Sequence, residues 1–142
     1  MTYTLTEQRN HRIVTEALAD ASGDFSKFFE AIFAEDVVWT LAGHGPIAGT
    51  YHGLKELFDK AENALFSRFA APLKPTTCGI WADGDTVLAH IKTSTIALDG
   101  EPYNNEYSYI MHMQDGKVVS GIEWLDFHAY YAIIDRVQLD AG

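Results

Sequence analysis

Glu123 is the residue whose setting most invites chemistry. It interrupts the apolar run Val118-Val119-Ser120-Gly121-Ile122-Glu123-Trp124-Leu125. A carboxylate facing an apolar pocket has a raised pKa, which suits a general base or acid near neutral pH. The competing reading is a solvated or paired Glu on the other face of the strand. Tyr107 and Tyr109 follow at strand spacing in 101–113. Either phenol could donate to a developing oxyanion, or simply pack in a core. His90 and Lys92 share a parity within Val87-Leu88-Ala89-His90-Ile91-Lys92. His90 is a candidate proton shuttle, with a hydrogen-bonded interface histidine as its rival reading. His44 and His52 flank a Gly-rich loop, where histidines are usually exposed. Asp126 has the opposite parity from Glu123, so it reads as the cap of a final helix. The six His and the acids near them show no ligand spacing, so no metal or other cofactor is expected.

Three Asp-Gly dipeptides position these residues. Asp83-Gly84, Asp99-Gly100 and Asp115-Gly116 stand sixteen residues apart. Asp-Gly between apolar-rich runs is a strong hairpin signal, because both residues tolerate the left-handed backbone of a tight turn. Four consecutive antiparallel strands are therefore expected, near 74–82, 85–98, 101–113 and 117–127. The middle two run about a dozen residues each, about twice the usual strand, and strands that long twist and curl. Register hangs on the last turn. A three-residue loop, Gln114 to Gly116, sets Tyr107 across from Glu123 and Tyr109 across from Gly121. A two-residue turn at Asp115-Gly116 sets Ser108 across from Glu123 instead. A slip of one residue moves every side chain to the other face.

Ahead of the meander, Thr4-Leu5-Thr6-Glu7 reads as a capping box for a first helix carrying Ile13, Val14, Ala17, Leu18 and Ala21 on one stripe. Asp24 can cap a second helix with Phe25, Phe28, Phe29, Ile32 and Phe33. Val37 to Leu41 is a short strand, and 47–53 a second extended stretch. A third helix, 54–66, turns Leu54, Leu57, Phe58, Ala61 and Leu65 inward. Pro75 suits an edge strand, and 129–137 a short last helix. This order is α+β: a cone-shaped, curved antiparallel sheet wrapped around three N-terminal helices.

One chain of 142 residues is expected to be a single domain over 1–142. Its 47% apolar and 13% aromatic content exceeds what a core needs and leaves side chains for a pocket or an interface. A net charge of -10 without a basic run argues against a nucleic-acid partner. Cys78 stands alone and the start has no secretory pattern. No apolar run reaches the roughly 20 residues that span a bilayer. A cytoplasmic protein without membrane contact is the expectation.

Several strings in this order resemble the nuclear transport factor 2-like superfamily, which includes ketosteroid isomerases, limonene epoxide hydrolases and SnoaL-like polyketide cyclases. They are Phe33-Ala34-Glu35-Asp36-Val37-Val38-Trp39, Pro46-Ile47-Ala48-Gly49 with Gly53 opening a helix, Asp115-Gly116-Lys117-Val118, and Glu123-Trp124-Leu125-Asp126. The resemblance covers nearly the whole chain and is greatest to the SnoaL-like, ketosteroid-isomerase-related members. It implies a cone with an apolar pocket at one end and, in many members, a homodimer through the outer sheet face. The last strand also carries apolar residues on both parities, which calls for two covers.

The resemblance also implies roles. Limonene epoxide hydrolases carry a catalytic acid where Glu123 falls. The isomerase position for its second oxyanion-hole acid falls on Tyr109. The isomerase base falls on Leu41, which moves no proton, and its first-helix phenol has no counterpart. The hydrolase's water-holding tyrosine and asparagine fall on Trp39 and Leu41, and its arginine and second acid are missing near 89–93. Neither family reaction is therefore expected by the usual residues. The expected catalytic set is Glu123, Tyr109 and His90, acting on an apolar carbonyl compound by proton transfer. The expected ligand lining is Trp39, Leu41, Phe58, Tyr107, Gly121 and Leu125. A non-catalytic binding module and a structural dimer with a vestigial pocket are the alternatives.

Overall fold

The capping box forms as its residues dictate. Glu7 N–H donates to Thr4 Oγ1 at 3.1 Å and Thr4 N–H donates to Glu7 Oε1 at 2.7 Å, starting α1 (Leu5–Asp20). This is seen in a computed structural model that describes residues 2–139. The stripe of α1 buries Val14, Ala17 and Leu18. Asp24 accepts from the Ser26 N–H at 3.1 Å, and α2 (Ser26–Ile32) buries Phe28, Phe29 and Ile32. Then come β1 (Phe33–Leu41) and β2 (Gly49–His52). A helical run follows without a break: α3 (Leu54–Leu57), a π-helical turn (Phe58–Glu62) and α4 (Asn63–Phe66). The meander is β3 (Lys74–Asp83), β4 (Thr86–Ile96), β5 (Pro102–Gln114) and β6 (Lys117–Leu125), and α5 (Phe127–Arg136) ends it. Asp126 caps α5 as expected, its Oδ1 accepting from the N–H groups of His128 and Ala129.

The six strands lie in the order β2-β1-β6-β5-β4-β3. The meander is antiparallel throughout, and β3 is the edge strand that carries Pro75. The sheet as a whole is mixed, however, because β1 runs parallel to β6. That corrects the expectation of a purely antiparallel sheet. Apolar alternation reports which residues are buried, not which way a distant neighbour runs.

The last hairpin takes neither expected register. Asp115 (φ 51°) and Gly116 (φ 79°) form a two-residue turn, with Gln114 opposite Lys117. Two left-handed residues in succession match the twist of the flanking strands. Met113 then faces Val118, but His112 faces Ser120, so Val119 is an extra residue on β6. This bulge advances the ladder by one. Tyr109 therefore lies across from Glu123, Tyr107 from Leu125 and Met111 from Gly121. Val118 and Val119 are alike in hydrophobicity, so no polar residue marks the bulge in the sequence.

The inner face of the sheet meets the helices through rings. Phe25, Phe28, Phe29, Phe33, Trp39 and Tyr109 are all buried and touch one another. The outer face carries a different row. Trp81, Leu88, Ile110 and Ile122 face one another directly across β3, β4, β5 and β6. Trp81 is 51% exposed, and Trp124, further along β6, is 44% exposed.

Candidate active site

Glu123 points inward and is 2% exposed. Its position depends on a neighbour two residues away. A Cβ on Gly121 would overlap the carbonyl oxygen of Ile110 and the indole of Trp39. Without that Cβ, the Trp39 ring lies flat against β6, and its Nε1–H donates to Glu123 Oε1 at 2.7 Å. Tyr109 lies opposite Glu123 in the ladder, and its phenol beside the carboxylate also favours the anion. Burial pushes the Glu123 carboxyl up from 4.5 to about 7, against the pull of the Trp39 indole and the Tyr109 phenol. At neutral pH this group therefore exchanges its proton readily.

Glu123 opens on a small cavity that Leu41, Glu62, Leu65, Tyr107, Leu125 and Tyr130 wall together with Ile47. Its volume is about 10 Å³, room for one water at most. The cone is thus nearly filled in this conformation. Ile47 closes it from the loop between β1 and β2. Tyr51 Oη donates to the Ile47 carbonyl at 2.6 Å, and the Ile47 N–H donates to Tyr131 Oη at 3.1 Å.

Glu62 is the residue that the sequence reading passed over. It ends the π-helical turn, in which the Asn63 N–H reaches back five residues to the Phe58 carbonyl. Such turns recur at functional sites, because the extra residue re-aims the side chains around it. Tyr130 Oη fixes the turn by donating to the Ala61 carbonyl at 2.7 Å. Glu62 is half-buried and contributes a carboxyl-bearing side chain to the cavity wall. Burial and the negative charge of Glu123 hold that carboxyl well above its ordinary range. A signal was present: residue 62 stands four after Phe58 and three before Leu65, on the apolar stripe itself. An acid on that stripe carries the same meaning as an acid in an apolar strand.

Around the pair the inner surface is phenolic. Burial raises Tyr103 to about 12 and lifts Tyr107 and Tyr109 above the ordinary phenol range, so all three stay protonated donors. Asn105 Nδ2 donates to Tyr103 Oη at 2.8 Å, and its Oδ1 accepts from the Asp126 N–H at 3.0 Å.

The expected residues divide into three groups. Glu123, Leu41, Tyr107 and Leu125 meet at the cavity. Trp39, Tyr109 and Gly121 stand behind Glu123 and set its position rather than line the space. His90 and Phe58 belong to neither group. His90 is on the outer face, hydrogen-bonded to Glu106, because Val87, Ala89 and Ile91 take the inner positions of β4. Lys92 shares that outer face. Phe58 packs edge-on against Phe29 at 5.7 Å between ring centres and near Phe66, away from the cavity. His44 and His52 are exposed. Among the described residues, no three His, Cys, Asp or Glu side chains gather as a metal site would need. No described helix is long and apolar enough to cross a membrane.

Comparison with known proteins agrees with this fold. The profile of a family described as SnoaL-like domain matches residues 12–121. Among solved structures, Bal32a from a soil-derived mobile gene cassette superposes with a TM-score of 0.70 at 20% identity, over 90% of this chain and 98% of that one. A SnoaL-like polyketide cyclase candidate from Jannaschia sp. CCS1 gives 0.72 at 13% identity, over 96% and 98%. TerC, co-crystallized with polyporic acid, gives 0.67 at 16% identity, over 89% and 98%. At identities this low the likeness shows the fold alone. No curated protein matches the sequence.

Proposed function

Since the chain belongs to the SnoaL-like domain family, we propose that its cone admits an apolar carbonyl compound and that Glu123 moves a proton on it, as isomerases, cyclases and hydratases do. One observation carries this reading: a carboxylate 2% exposed, pushed up to about 7 and gripped by a buried indole N–H. A carboxyl placed only for packing would not need a fixed indole donor and a cavity at its free side. Neighbours in fold described as a polyketide cyclase candidate and as a complex with polyporic acid fit an aromatic or polycyclic substrate.

Entry of such a molecule requires the cavity to widen. The loop bearing Ile47 is the part best suited to give way, because two phenol hydrogen bonds hold its residue 47 and no strand ladder does. The test is deuterium uptake from heavy water into the carbon beside the carbonyl of 2-tetralone, followed by proton NMR. The protein should accelerate uptake, and Glu123→Gln should reduce the protein's rate by about 100-fold or more. An undiminished rate in the variant would sink the base assignment. The second reading, a non-catalytic binding or structural domain, is favoured by the nearly filled cone. It predicts 2-tetralone bound without uptake, or not bound at all.

The partner in this proposal is a second copy of the chain. The apolar row Trp81-Leu88-Ile110-Ile122, with Trp124 beside it, supports a dimer through the outer sheet face. Light scattering after size exclusion should give a dimer mass for the wild type and a monomer for Leu88→Lys. A wild-type monomer mass independent of concentration overturns the dimer.

A further inference from the structure

We infer that Glu62 is the proton donor of this site: it protonates the substrate's carbonyl oxygen while the Glu123 carboxylate removes a proton from the adjacent carbon. This rests on the proposed reading of Glu123 and assigns the other half of the reaction.

The placement comes from two separate elements. Glu62 enters the cavity from the π-helical turn and Glu123 from β6, and both form its wall. The wall has no Lys, Arg or His, so no cation there neutralises two carboxylates. Two carboxylates on the wall of one small cavity repel each other, so one of them holds its proton to higher pH. The surroundings say which one keeps the proton. Trp39 donates to Glu123 and the phenol of Tyr109 stands beside it, and both favour its anion. Glu62 receives no donor among the described residues, and the neighbouring anion favours its neutral form. Further along the sheet, outside the cavity wall, the buried Thr93 hydroxyl stands beside the phenol of Tyr107.

The step balances within the pair. Glu123 forms an O–H bond as the substrate C–H bond breaks. That electron pair becomes the carbon–carbon double bond of an enol, and the carbonyl π electrons move to oxygen. The oxygen takes the proton from Glu62, which is left as a carboxylate. Return of a proton from Glu123 to a different carbon, with Glu62 recovering its own, completes an isomerisation. No outside oxidant or reductant enters. The substrate class is a ketone with an acidic carbon–hydrogen bond beside its carbonyl.

The experiment uses 2-tetralone exchange across pH on the full chain. The wild-type rate should rise as Glu123 ionises and fall at higher pH as Glu62 loses its proton. Glu62→Gln should lower the maximum by about 100-fold and remove the alkaline fall while keeping the acid limb. Glu62→Asp, which keeps a carboxyl and serves if the first variant fails to fold, should restore the alkaline fall at a reduced rate. Carbon-13 NMR of labelled glutamates gives a readout independent of turnover: the Glu62 carboxyl should titrate at lower pH in Glu123→Gln. Wild-type rate and pH profile in Glu62→Gln, or no alkaline fall in Glu62→Asp, overturn the role of Glu62 and leave Glu123 standing. An unmoved Glu62 titration in Glu123→Gln overturns the pairing. A wild-type protein that exchanges nothing overturns the reading of Glu123, and this inference with it.

Discussion

Glu123→Gln should be more stable than the wild type at pH 8, by on the order of 3 kcal/mol, and close to it at pH 4. Unfolding releases the Glu123 carboxyl from its raised value of about 7 to its ordinary 4.5. Between those two values the native state holds a proton that the unfolded chain has lost. Stability from this group is therefore at its highest below 4.5 and declines as pH rises towards about 7. Each pH unit of that interval is worth about 1.4 kcal/mol, which sets the expected size. Glutamine keeps an oxygen to accept from the Trp39 indole and has no charge to bury. Glu62, also raised by burial and by Glu123, adds to the wild-type decline as pH rises through its own folded-state value. Urea denaturation at several pH values reads this directly. The net charge of -10 adds a general repulsion at high pH, which is nearly the same in both proteins and drops out of their difference. Equal slopes for the two proteins would mean that the folded-state carboxyl titrates at its ordinary value, and the acid–base assignment would fall with it. Stability surrendered to keep a charge in a dry place is typical of a working site and unusual for a packing residue.

The same residues explain what the sequence made legible. Local chemistry was readable wherever it was decided locally. The Thr4–Glu7 box, the Asp126 cap and the Asp115-Gly116 turn each rest on contacts within a few residues, and all form. The first hairpin instead turns on Gly84-Asp85, and the second passes through a longer loop over 97–101. Pairings decided far along the chain were not readable. The direction of β1 against β6 depends on where a strand some eighty residues away leaves a free edge. The Val119 bulge required no marker, because either of two adjacent valines could take the inner place. It nevertheless decides the site, since it brings Tyr109 rather than Ser108 across from Glu123. His90 shows the opposite lesson. Its polar character within an apolar strand resembled that of Glu123, but parity with the buried Ala89 and Ile91 sends it outward to Glu106. Glu62 was visible in principle. An apolar helical stripe invites attention to its apolar members, and the one acid among them carried more information than the rest.

Gly121→Ala should lower stability by about 3 kcal/mol or more and, in the fraction that folds, release Glu123 from its indole. The glycine is needed here for space, since its backbone is not in the left-handed region. A Cβ at this position meets the Ile110 carbonyl oxygen on the paired strand, which cannot retreat without breaking the ladder, and the Trp39 ring, which can retreat only by leaving the core. Overpacking of this kind costs about 1–3 kcal/mol. Loss of a hydrogen bond to a charged group adds about 1.5–3 kcal/mol. For a chain of this length the melting temperature should fall by about 10 °C. The functional consequence has its own signature. Without the Trp39 donor the Glu123 carboxyl should titrate above its wild-type value, because burial then acts without its main opponent. The acid limb of 2-tetralone exchange should therefore move to higher pH in Gly121→Ala. Trp39→Phe should move it in the same direction, since phenylalanine keeps the ring and loses the N–H. If Gly121→Ala melts like the wild type and leaves that limb in place, the indole does not depend on the missing Cβ, and the construction of Glu123 from Gly121 through Trp39 is wrong.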